Sequence, residues 1–414
     1  MGKYIGKFFY GCVRLFLKST APVQDSGTIR LLIRWYRKTG IKIVQTFLPL
    51  FGNYIMLSLT TRCQCACAHC GVAVQRKYGE ENLDETLVYK IIEESARLGA
   101  YEIYFFGGEV LLLPELPDYI AFAKKNGLMT RLDTNGLLLH EEMVVMLRNS
   151  GLDHIGVSID SLNEEIHDKN RGIPGTLKRA LQGISYCIKH NLDCSISTVA
   201  SKQSLENGGL YNIIQRAAGL KIKARILSPV SCGRWKNRSD IALSPAEVRY
   251  VRGFLRRGKV FWDSELVDGP EVPFSCGARG RRLLYISPHG NVQPCSYVPI
   301  VFGNIKEIPF IEIINKMHRS DILSYGSDSL DCPTNSINFQ NRYGRYMDTG
   351  VVIPSTLKCA LYNESIYKKN RRSGIKTVEP VDDPTLARKQ GAEVFNSAQA
   401  LVPGSEKVAE NGRA

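Results

Sequence analysis

The chain has 414 residues, 44% of them hydrophobic, which gives room for a barrel-sized catalytic domain with a real core and a smaller module besides. Its 12 cysteines are too few for a small secreted disulfide scaffold, and four of them crowd into one loop, so reduced thiolates in a reducing compartment, the cytoplasm, are expected. Lys and Arg exceed Asp and Glu by 54 to 40, a net of +14, with no recognisable nucleic-acid-binding motif interleaved, so nucleic acid is not the expected partner.

Residues 1–50 carry nine Lys or Arg against one acid, Asp25, a net of +8 and over half of the excess. Ile5, Phe8, Phe9, Cys12, Val13, Phe16 and Leu17 share one helical face, so the segment reads as a basic amphipathic helix. Such a helix either packs on its own domain or offers a surface to an acidic peptide or to membrane lipid. Arg14 interrupts the apolar stretch, which argues against a signal peptide, and no run reaches the uncharged length of a transmembrane span.

From Tyr54 onward, short β-rich runs alternate with stretches of helical period. The strands are expected at 54–59, 101–106, 128–134, 154–159, 192–199 and 221–227, with helices at 84–98, 117–126, 141–149, 176–190 and 205–218 between them. Several strands are apolar on both faces, as in a parallel sheet covered by helices. Six βα units are too few for a closed eight-strand barrel, so the expected fold is α/β, an open partial (β/α)6 TIM-like barrel over 51–243 with functional loops at the carboxyl ends of its strands. A helix over 245–257 and a hairpin within RRLLYISPHGNVQP, with Pro288, His289, Gly290 and Asn291 as its turn, open a smaller module over 244–368. Residues 369–414 are polar and aperiodic and read as a disordered tail.

The first expected strand is followed by CQCACAHC, in which Cys63, Cys67 and Cys70 stand as C-x3-C-x2-C. Three thiolates on a short loop can hold three irons of a cubane cluster and leave the fourth iron open to a ligand. Structural zinc takes four protein ligands, and no second cysteine pair stands at the expected distance. A redox C-x-x-C at Cys67 and Cys70 would leave Cys63 unexplained. The second strand ends in FFGGE (Phe105–Glu109), whose glycines admit a close ligand and whose acid can pair with an ammonium group, although Gly-Gly-Glu alone is a common turn. The third ends in DTNG (Asp133–Gly136), and the fourth contains VSID, with Ser158 and Asp160 on one side of the strand. These groups suit ribose hydroxyls, and equally strand-end capping.

Taken together with HDKNRG (His167–Gly172), these motifs resemble those of radical S-adenosylmethionine (radical SAM) enzymes in order and spacing over residues 54–227. The resemblance implies that Cys63, Cys67 and Cys70 ligate a [4Fe-4S] cluster whose free iron chelates S-adenosylmethionine. It places His69 near adenine, Gly107 and Gly108 against the methionine part, Glu109 on its ammonium and Ser158 near the ribose or carboxylate, with Asp160 and Arg171 as further cosubstrate-binding positions. Cys65 falls at no ligand position of the family. An electron donor of the flavodoxin or ferredoxin kind is the implied redox partner.

In the smaller module Cys276 and Cys295 stand as C-x13-G-x4-C around the hairpin and FGNI (Phe302–Ile305) follows, similar to the start of SPASM or Twitch modules. The run of four close cysteines that completes a SPASM module is missing. The expected ligands of one auxiliary [4Fe-4S] cluster are therefore Cys276, Cys295, Cys332 and Cys359, with Cys332 and Cys359 alternatively ordinary buried residues. The resemblance implies a peptide- or protein-modifying maturase, with an acidic precursor peptide guided by the basic amino end. Oxidation or rearrangement of a small molecule, or of a lipid-linked substrate reached by peripheral membrane contact, are the alternatives. A non-catalytic iron-sulfur carrier or scaffold would leave Glu109 and the ribose-contact positions without a role.

Overall fold

The computed structural model describes residues 53–78, 82–236, 238–256, 258–262, 277–278, 282–320, 332–335 and 337–344. The basic segment 1–50, Cys276, Cys359 and the tail 369–414 lie outside the described residues.

Strand β1 (Tyr54–Thr60) is buried at all seven positions, as a parallel strand covered on both faces must be. After it come β2 (Glu102–Gly107), β3 (Met129–Thr134), β4 (His154–Ser158), β5 (Cys194–Val199) and β6 (Lys223–Leu227), each hydrogen bonded in parallel to its predecessor. The six expected strands are present in the expected order. The sheet then continues at both edges. β7 (Val260–Trp262) pairs in parallel with β6, and β8 (Leu283–Ile286) pairs in parallel with β1. β9 (Asn291–Gln293) and β10 (Gly303–Asn304) complete that edge in antiparallel fashion. The expected hairpin is thus β8–β9, and it extends the barrel's own sheet.

Helices α1 (Glu85–Arg97), α2 (Leu116–Lys125), α3 (Glu141–Asn149), α4 (Glu164–Arg171) and α5 (Thr176–Lys189) cover the sheet. In α1 the side chain of Asp84 caps the first turn by accepting from Leu87 N at 3.1 Å, and Leu87, Val88, Ile91 and Ile92 form the buried stripe. The helix expected over 205–218 divides into α6 (Lys202–Glu206) and α7 (Gly209–Gly219). Asn207 Oδ1 accepts from Gly209 N at 2.9 Å, and Gly208 takes φ 70°, so the chain restarts rather than continues. Helix α4 is unexpected because it has no apolar stripe; it buries only His167 and Arg171. Next is α8 (Pro245–Arg252), opened by a capping box between Ser244 and Glu247. Then α9 (Phe310–Arg319) buries Phe310, Ile313, Ile314 and Met317, and α10 (Ile337–Tyr343) ends the described chain. No helix among the described residues is long and apolar enough to cross a membrane.

The sheet's helix-facing side chains are apolar, whereas its inner face is polar. Tyr104 on β2 lies beside Arg131 on β3, and Asp133 lies beside Gly156 on β4. Arg225 on β6 reaches across the bore to donate to Asp133 Oδ2 at 2.5 Å and to the Tyr104 hydroxyl at 3.0 Å. Tyr104 itself donates to Asp133 Oδ2. Against burial, Arg225 and Arg131 hold the Asp133 carboxyl below its ordinary range. A Cβ at Gly156 would stand 2.1 Å from Asp133 Oδ1, so β4 has no room for a side chain beside this network.

Glu102, at the start of β2, is pushed up to about 7 by burial, with Arg131 and Arg225 opposing. A carboxyl raised in the folded state keeps its proton after the unfolded chain has lost it, so this group opposes folding increasingly from about pH 4.5 to about pH 7. Glu102→Gln removes that dependence. Relative to wild type, the variant should gain stability across this interval, by at most about 1.4 kcal/mol per pH unit, and level off above it. Urea unfolding midpoints at a series of pH values read the difference.

Candidate iron-sulfur and cosubstrate site

The cysteine loop leaves the carboxyl end of β1. Cys63, Cys67 and Cys70 are partly exposed, whereas Cys65 is buried at 2% exposure. Bonds to Cys63 and Cys67, with burial, push the Cys65 thiol up. The Cys67 thiol is lowered to about 5, first by its bond with Cys65 and, against burial, by the charges of Arg171 and His69. Cys67 is thus held toward the thiolate that metal binding needs. Among the described residues no three His, Cys, Asp or Glu side chains are placed to hold a single metal ion.

Two segments from later strands hold this loop. Ala66 N and Ala68 N donate to the carbonyls of Arg171 and Asn170 at the end of α4, each at 2.9 Å. Gly172 closes that helix at φ 77°, and a Cβ there would lie 3.0 Å from Ala66 Cβ. The Arg171 guanidinium donates to Cys67 Sγ at 3.7 Å and to Asp160 Oδ1 at 2.6 Å. Asp160 also lies 3.8 Å from His69 Nε2, and its backbone N donates to His167 Nδ1 at 3.1 Å. Beyond β6, Arg234 N donates to Cys70 O at 3.2 Å, and its guanidinium donates to the carbonyls of Ala66 and Cys67. Gly233 approaches so closely that a Cβ would stand 2.1 Å from Cys70 O.

The Gly-Gly-Glu segment continues the pairing of β2 with the loop. Gly108 N donates to Thr60 O and Glu109 N to Arg62 O, both at 2.8 Å. A Cβ at Gly107 would meet Thr60 O at 2.5 Å and one at Gly108 would meet Arg62 O at 2.0 Å. The immediate reason for both glycines is therefore the backbone of the cysteine loop itself. Glu109, 1% exposed, accepts from Leu111 N, the Thr134 hydroxyl and Asn135 N at 3.2, 2.8 and 2.8 Å. Burial outweighs these bonds and pushes its carboxyl up to about 7. Its hydrogen-bond partners are all neutral, so an ammonium group beside it would restore the ionised form. Asn135 Nδ2 also donates to Gln64 Oε1 at 3.3 Å and to Cys63 Sγ at 3.8 Å. Ser158, at the end of β4, is partly exposed and paired in register with Ser197.

The structure brings His69, Gly107, Gly108, Glu109, Asp160 and Arg171 around the cysteine loop. It engages Asp160 and Arg171 with each other and with Cys67, a loop-holding arrangement that their sequence position does not reveal. Thr134 and Asn135, within the DTNG segment singled out in the sequence, bind Glu109, whereas Gly233 and Arg234 join the site without having been expected, as does Trp235, whose ring lies 5.7 Å from that of His69. Their common signal is position at the carboxyl ends of β3 and β6. In the smaller module Cys295 is buried and accepts from Tyr297 N at 3.4 Å. Cys332 is partly exposed, and its segment docks on the loop after β6, where Asn335 Oδ1 accepts from Ser231 N at 2.7 Å.

Comparison with known proteins agrees with this geometry. The radical SAM superfamily model matches residues 57–206, and an iron-sulfur cluster-binding (SPASM) domain model matches residues 276–334. The chain is 30% identical over 288 residues to an AdoMet-dependent heme synthase of Methanosarcina barkeri, covering 63% of this chain and 81% of that one. It is 28% identical over 278 residues to a PqqA peptide cyclase of Rhodopseudomonas palustris, covering 64% and 72%. Among solved structures, Streptococcus suis SuiB bound to the precursor peptide SuiA shares the fold at TM-score 0.52 and 16% identity, over 72% of this chain and 71% of that one.

The chain belongs to the radical SAM superfamily. It is a radical SAM enzyme with a SPASM iron-sulfur module, and its cofactors are a [4Fe-4S] cluster with S-adenosylmethionine and an auxiliary cluster. The soft thiolate donors and the uncompensated Glu109 carboxyl fit these groups.

Gly108→Ala forces the β2 end away from Arg62, and Arg234→Met removes the guanidinium bonds to two loop carbonyls. For Arg234→Met, iron retention under a chelator should weaken by roughly tenfold, as for other residues that orient metal ligands. For Gly108→Ala the loss should be greater. Iron per chain after timed chelator exposure measures both.

Proposed function

We propose that this enzyme modifies a peptide or protein, abstracting hydrogen from a substrate carbon to allow crosslinking, epimerisation or oxidation. The observation that carries this reading is the similarity to PqqA peptide cyclases, which spans 60–64% of this chain in several species. The charge of residues 1–50 supports it, since a net of +8 complements an acidic leader segment.

When bound, the cluster and S-adenosylmethionine supply reductive cleavage of the sulfonium to a 5′-deoxyadenosyl radical. Cys63, Cys67 and Cys70 hold the cluster, and Arg171 balances the thiolate charge on Cys67. Glu109 takes the ammonium of the cosubstrate, Gly107 and Gly108 let β2 close on the cysteine loop beside its methionine part, and His69 and Ser158 lie beside its nucleoside. In the SPASM module Cys276, Cys295, Cys332 and Cys359 hold one auxiliary cluster. A flavodoxin- or ferredoxin-like protein delivers the electron.

A second reading, action on a small molecule such as a tetrapyrrole, is favoured by the 30% identity to a heme synthase. In both readings, anaerobically reduced enzyme should release 5′-deoxyadenosine, and Cys67→Ala should abolish it. Mass spectrometry separates the two. The peptide reading expects an altered precursor peptide bearing an acidic leader, and an altered tetrapyrrole with the peptide untouched would overturn it.

A further inference from the structure

Tyr297, two residues beyond Cys295, touches both cysteine-bearing segments. Its backbone N donates to Cys295 Sγ at 3.4 Å. The edge of its ring lies against Gly71, the residue after Cys70: a Cβ at Gly71 would stand 3.2 Å from Tyr297 Cε1 and 3.4 Å from the sulfur of Cys232. Glycine at 71 thus makes the seat that the ring occupies. A second tie runs in parallel, since Tyr285 on β8 is fully buried and donates to Gln75 Oε1 at 3.0 Å, in the turn Gly71–Tyr78 that follows the loop. The Tyr285 hydroxyl is close enough to both Cys70 and Cys295 for each sulfur to act on it electrostatically.

We infer that Tyr297 is a positioning residue that joins the two iron-sulfur sites, fixing Cys70 from the auxiliary side through its ring and Cys295 through its N–H. The inference rests on the assignment of Cys70 and Cys295 as cluster ligands. Two physical effects follow. An N–H donor to a ligating sulfur raises a cluster's potential, and an apolar ring beside a ligand excludes water. Removing the ring admits water next to Cys70, which stabilises the more highly charged reduced form of the first cluster and moves its midpoint potential upward.

The test compares reconstituted full-length wild type with Tyr297→Ala, Tyr297→Phe and Gly71→Ala by iron content and by EPR-monitored redox titration. Wild-type iron content checks the cluster assignment separately from the contact. Tyr297→Ala should keep wild-type iron, because every thiol remains, while shifting the potential and g-values of the first cluster. Tyr297→Phe keeps the ring and should titrate as wild type. Gly71→Ala presses on the ring from the opposite side and should shift the same signal, which keeps the contact testable should Tyr297→Ala misfold. A first-cluster signal unchanged in both Tyr297→Ala and Gly71→Ala overturns the inference, as does a Tyr297→Phe variant that behaves like Tyr297→Ala.

Discussion

The site depends on a backbone clamp. Within the cysteine loop the backbone bonds to itself from Cys70 N to Cys67 O at 3.3 Å, and the loop must keep three partly exposed sulfurs in a fixed arrangement. Its amides at Ala66 and Ala68 are taken by the last carbonyls of α4, and its carbonyls at Ala66, Cys67 and Cys70 by Arg234. A helix end has carbonyls to spare, and here the spare carbonyls of α4 become the loop's acceptors. The clamp therefore satisfies two sets of orphan groups at once, which explains a charged helix that buries only His167 and Arg171.

Electrostatics works in the same direction. Three thiolates on eight residues repel one another, and Arg171 places a buried cation beside Cys67. A cation so buried needs its own partner, which Asp160 supplies at 2.6 Å. Breaking such a pair costs about 3–5 kcal/mol because one charge is left buried alone. Asp160 thus acts on the loop through Arg171, while its second oxygen, Oδ2, is buried without a hydrogen-bond partner among the described residues.

Much of this was legible in the amino-acid sequence. Short β-rich runs between stretches of helical period gave six strands in their true order, and the cysteine spacing with Gly-Gly-Glu gave the chemistry of the site. What escaped was of three kinds. Helix α4 carries no apolar stripe, so periodicity has nothing to detect. Strands β7 and β8 are only three and four residues long, and their membership in the sheet is a long-range pairing that no local pattern encodes. Arg234 acts on main-chain carbonyls of a neighbouring loop, where residue type says little. The glycines at 107 and 108 were found for a different reason than the one the backbone shows.

The pairing of β8 with β1 bears on how the two iron-sulfur sites relate. Modules joined by a linker move relative to one another by default. Here Tyr54 to Leu57 of β1 pair residue for residue with Leu283 to Ile286 of β8, so the auxiliary hairpin takes its position from the strand that carries the first cysteine loop. Bending between the two would break a buried hydrogen-bonded ladder and the apolar packing of Ile55, Leu57, Leu284 and Ile286, all fully buried. The separation of the two centres is then a property of strand register, and a change in β1 is felt at both.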